Sequence, residues 1–66
     1  MGAIMKQFDV VRITKDDPEN GITKGQIGTI LEVWDDKNFD VEISDSSNGI
    51  TLFLGVLSRD ILEPFN

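Results

Sequence analysis

Residues 26–34 read QIGTILEVW, 35–38 DDKN, 39–44 FDVEIS, 45–49 DSSNG and 50–55 ITLFLG. The strand signals of the chain are concentrated here. Its apolar residues come in short runs rich in β-branched and aromatic types. Clusters of Asp, Asn, Ser and Gly separate the runs, and none sustains a helical period. The reading is three strands, Gln26–Trp34, Phe39–Ser44 and Ile50–Gly55, joined by two hairpins. Asn48-Gly49 tolerates the positive φ that a tight hairpin needs.

Upstream, Phe8–Ile13 (FDVVRI) reads as a first strand, and Thr14–Lys24 (TKDDPENGITK) as a long polar loop. Pro18 in that loop cannot donate to a ladder. Downstream, Val56–Asp60 (VLSRD) reads as a short helical turn and Ile61-Leu62-Glu63 as a closing strand before Pro64. The expectation is an all-β, five-stranded small barrel with a long first loop and a short helical turn before its last strand. Residues 8–64 form that domain and residues 1–7 an N-terminal extension. Met5 is a second candidate start.

Pattern also predicts a register, because a slip of one residue turns a strand's apolar set to the opposite face. A three-residue loop, Asp36-Lys37-Asn38, sets Ile27, Thr29, Leu31 and Val33 on the same face as Phe39, Val41 and Ile43. A second loop at Ser46–Gly49 sets Leu52 beside Ile43 and Leu54 beside Val41. The opposite, outer face then carries Ile30, Glu32 and Trp34, with Asp40, Glu42 and Phe53. It is an aromatic surface rimmed by carboxylates, and Trp is enriched at binding hot spots. Two alternatives stand beside it. A bend of the strand at Gly28 turns Ile30 inward, or the long loop or the chain ends cover Trp34 and Phe53.

At 66 residues the chain holds one core, and a domain this small buries only about 60% of its unfolded surface. The net charge is −6 and is uneven. Residues 1–24 balance Lys6, Arg12, Lys15 and Lys24 against four carboxylates, whereas residues 25–66 set two cations against eight. An acidic half repels phosphate and attracts basic surfaces. The absence of cysteine and of a long apolar opening run fits a cytoplasmic protein with no membrane span.

There is no His and no Cys, which excludes Ser-His-Asp, Cys-His and thiolate zinc chemistry. Glu32 and Glu42 make a formal carboxylate pair, but a chain this short has little material for a cleft around them. The oxygen-rich runs Asp35–Asp40 and Asp45–Gly49 lack the spacing of a calcium loop and read as turns. No catalysis, metal or cofactor is expected.

The stretch Lys24-Gly25-Gln26-Ile27-Gly28-Thr29-Ile30-Leu31-Glu32-Val33 is similar to the glycine-punctuated strand of KOW-type, SH3-like barrels. Phe-Asp-Val-Val near the start, Pro-Glu-Asn-Gly in the loop, Lys-Gly-Gln-Ile-Gly-Thr-Ile and Phe-Asp-Val-Glu-Ile together resemble something closer. That is a family of short bacterial single-domain proteins filed as a domain of unknown function. The resemblance spans Phe8 to Leu62. It implies a fold and no particular activity.

The expected function is therefore a protein-interaction module that takes a basic protein partner on the acid-rimmed face, as a monomer or weak homodimer. A KOW-like nucleic-acid or ribosome-associated binder is the alternative, with an acidic inhibitor or antitoxin that mimics nucleic acid. The acidic second half makes nucleic acid the weaker partner.

Overall fold

A computed structural model describes residues 5–65. Five strands, β1 (Val10–Ile13), β2 (Ile27–Val33), β3 (Asn38–Ser44), β4 (Thr51–Ser58) and β5 (Leu62–Pro64), form one antiparallel sheet. Its order is β4-β3-β2-β1-β5. Two 3-10 turns, Pro18–Asn20 and Arg59–Ile61, complete the fold. The chain is thus all-β with five strands, as expected. The sheet is open rather than a closed barrel, because β4 and β5 are its two edges.

Val56–Ser58 continues β4 and is not the start of a helical turn. The turn begins at Arg59, where the Ser58 hydroxyl accepts the Asp60 N–H. Phe8 lies outside β1 with φ +71°, in the left-handed region, and its N–H donates to the Ile30 carbonyl at 2.6 Å. The long loop is tied down as well. Asp17 and Ile22 exchange backbone hydrogen bonds, and Ile22 is buried. Met5, within the expected N-terminal extension, is a core residue, while residues 1–4 of that extension lie outside the described residues.

The core joins Met5, Val11, Ile13, Ile22, Ile30, Phe39, Val41, Ile43, Leu57 and Leu62. Its membership departs from the expected register in two strands, and two bulges explain both departures. The first hairpin closes on a three-residue loop, Asp35–Lys37, with the Trp34 N–H on the Asn38 carbonyl. Val33 then stands opposite Phe39 and Glu32 opposite Asp40, but Ile30 stands opposite Val41. Leu31 is the extra residue. One inserted residue reverses the side-chain alternation beyond it. Ile30, placed outside by pattern, is fully buried, and Ile27 faces outward.

The second hairpin repeats the device. Ser44 stands opposite Thr51, which agrees with the expected loop, but Ile43 stands opposite Phe53. Leu52 is extra here. Phe53 therefore packs half-buried against the core, and Leu57 is buried further along the same face. Leu52 and Leu54, expected beside Ile43 and Val41, point away from the core and are exposed.

Candidate functional site

Two Asp-led turns position the outer face of the sheet. In the first, the Asp35 carboxylate accepts the Lys37 and Asn38 N–H groups at 2.8 and 2.9 Å and the Asn38 amide at 3.1 Å. In the second, Asp45 Oδ1 accepts the Ser47 N–H at 2.8 Å and the Ser47 hydroxyl, and Gly49 takes φ +75°. Donated hydrogen bonds favour the charged form. They hold the Asp35 carboxyl below its ordinary value, chiefly through the Lys37 N–H, and the Asp45 carboxyl likewise, chiefly through the Ser47 hydroxyl. Both carboxylates thus serve as turn acceptors. Among the described residues no group of three or more His, Cys, Asp or Glu is placed to hold a metal ion.

Alternation then fixes what each strand shows to solvent. Paired positions across β2, β3 and β4 form rows on the outer face. Glu32, Asp40 and Val56 make one row, and Thr29, Glu42 and Leu54 the next. Trp34 and Asn38 extend the pattern at the hairpin end. Val10 joins Thr29 from β1, and Arg12 stands beside Ile27. At the far end, Ile27 and Leu52 line a shallow depression with Ser44 and Gln26.

The apolar members of this face are strongly exposed. Leu54 and Trp34 are each 61% exposed and Val56 53%. The carboxylates Asp40 and Glu42 lie on β3, immediately beside β4, and Glu32 lies one strand further, on β2. Of the six residues expected to form the site, the structure therefore keeps Trp34, Glu32, Asp40 and Glu42 on the outer side of the sheet. It removes Ile30 to the core and turns Phe53 inward. Leu54 and Val56, assigned to the core or to a helical turn by pattern, take their places.

The cations are dispersed. Lys6 pairs with Asp9 at 3.5 Å, and the Arg12 guanidinium pairs with Glu63, its Nε at 2.8 Å, with its Cζ 6.0 Å from the centre of the Phe65 ring. Exposed pairs of this kind contribute about 0–1 kcal/mol each. No helix among the described residues is long and apolar enough to cross a membrane.

These features define a small all-β domain whose sheet exposes a contiguous apolar strip beside a group of carboxylates. The chain belongs to the family described as Domain of unknown function (DUF4926), which it matches over residues 7–64. No curated protein and no solved structure matches it.

Proposed function

We propose that the domain is a non-catalytic, cytoplasmic protein-interaction module that takes a partner carrying apolar and basic residues on the outer face of its sheet. The single observation that carries this reading is the exposed run Leu52, Leu54 and Val56 on an eight-residue strand beside Glu42, Asp40 and Glu32. A contiguous apolar patch is unfavourable in water unless something covers it. The neighbouring carboxylates favour a cationic cover and speed its encounter. Trp34 offers a further apolar anchor at the hairpin end.

The fold itself we read as SH3-like. The sheet order β5-β1-β2-β3-β4, with a 3-10 turn before the last strand, is compatible with the KOW-type fold that the sequence resembles. A phosphate track is less well supported. Of the cations Lys6, Arg12, Lys15 and Lys24 of the first half, Lys6 and Arg12 already carry ion pairs.

Immobilised wild-type protein is expected to retain a basic protein from a lysate of its source cells and to release it as salt rises. The pair of substitutions Leu54→Ser and Val56→Ser should abolish that retention with an unchanged circular dichroism spectrum, and Trp34→Ala should weaken it. If the doubly substituted protein folds and retains the same set of proteins, the outer face is not the site.

A further inference from the structure

We propose that the open edge of β4 pairs, antiparallel and about a two-fold axis, with β4 of a second copy, joining the two five-stranded sheets into one. This concerns the strand's edge and stands apart from the reading of the outer face above.

The two edges of the sheet are built differently. β5 has three residues, and one of them is Pro64, which has no N–H to offer. Short strands, proline and charge are the devices that keep a sheet edge from recruiting another strand. β4 has eight residues, TLFLGVLS, with neither a proline nor a charged side chain. Its bulge lies at one end, at Leu52, and leaves the rest straight.

The backbone of β4 is also aimed outward. The Arg59 N–H on the Lys37 carbonyl, at 2.7 Å, continues the β3–β4 ladder. In an antiparallel pair only alternate residues exchange hydrogen bonds. With that phase the bonded pairs are Phe39/Leu57, Val41/Gly55 and Ile43/Phe53. Leu54 and Val56 then direct both N–H and C=O to the open edge. Among the described residues no strand meets them there.

Self-complementarity of the edge points to a second copy as the occupant, and charge permits it. The uncharged edge lets two copies meet without like-charge contact, although each chain carries −6. The nearest outer-face carboxylates, Asp40 and Glu42, stand one strand back on β3. Across a β4–β4 seam those of the two copies are three strand spacings apart, about 14 Å. That exceeds the screening length of about 8 Å at physiological salt. A two-fold axis at Gly55 sets Leu54 of each copy against Val56 of the other. The contact is self-complementary, as a two-fold interface requires. One strand pair is small beside the roughly 1,200–2,000 Å² of a standard interface, so the dimer forms in a concentration-dependent way.

Sedimentation of the wild-type protein, paired with amide hydrogen exchange, tests this. The mass is expected to rise from 7.4 kDa to twice that with concentration, while the Leu54 and Val56 amides become protected. Val56→Pro removes a donor that faces the edge and none that faces β3. It is expected to weaken dimerisation by at least about tenfold with the fold intact. Should that variant not fold, exchange in the wild type decides alone. A chain that stays monomeric up to about 1 mM overturns the proposal. A dimer whose Leu54 and Val56 amides exchange freely overturns it too, as does protection of those amides only by a strand from another protein.

Discussion

Ile30→Ala is expected to destabilise the domain by about 2–5 kcal/mol, the usual range for truncating a buried isoleucine. Ile30 has no exposed surface and stands opposite Val41, which is equally buried. A chain of this length has about 3–10 kcal/mol of total stability. The substitution thus removes a large share of it and lowers the melting temperature by more than about 10 °C. Trp34→Ala, at a site mostly in water, is expected to cost under about 1 kcal/mol. Thermal unfolding of both variants checks the pair. Equal losses, or a larger loss at Trp34, would mean that the bulge at Leu31 is misplaced and the two faces of β2 are reversed.

Gly28→Ala is the second large effect. A methyl group built there meets the Glu42 carbonyl oxygen and a Val41 methyl at 2.9 Å each, and Ile43 at 3.2 Å. The first of these is backbone in the middle of the sheet and cannot swing aside. Overpacking of this kind costs about 1–3 kcal/mol. The glycine is thus required for close approach between β2 and β3, and the extra residue of the register shift, Leu31, lies three residues further on. Denaturant unfolding should show a lower midpoint with an unchanged slope. A midpoint equal to that of the wild type would show that β2 sits further from β3 than the packing requires.

Much of this architecture is legible in the chain. The Asp- and Asn-rich turns mark both hairpins. The alternation in FDVEIS places Asp40 and Glu42 outside and Phe39, Val41 and Ile43 inside, and the structure agrees. The other two strands of the meander are ambiguous for a physical reason. In ITLFLGVL both alternations are apolar, Leu52-Leu54-Val56 on one side and Phe53-Leu57 on the other. IGTILEV likewise offers either Ile27, Leu31 and Val33 or Ile30. Periodicity cannot choose between two apolar faces. The bulges that do choose fall at leucines, which carry no local signal of a bulge. A tighter bend near Gly28 was the only sequence argument for a buried Ile30.

The same ambiguity hid the candidate site. Leu54 and Val56 pattern as core or turn, and only the extra residue at Leu52 turns them out to solvent beside Glu42 and Asp40. Met5 and Ile22 are core residues outside the strands that the pattern marks, and of these Ile22 carries a signal. Its signal was a lone isoleucine inside an otherwise polar loop, TKDDPENGITK, held by the Asp17 bridge.

Because the chain contains no cysteine, thiol labelling of single-cysteine variants reads the faces of the sheet directly. Leu54→Cys, Val56→Cys, Phe53→Cys and Ile43→Cys, labelled in the folded state at low concentration, make the set. Positions 54 and 56 are expected to react at nearly the rate of an unfolded control, with position 53 slower and position 43 strongly protected. Protection at 54 and 56 with fast reaction at 53 would contradict the account, because the acid-bordered surface would then be aromatic and the exposed strip of β4 would not exist.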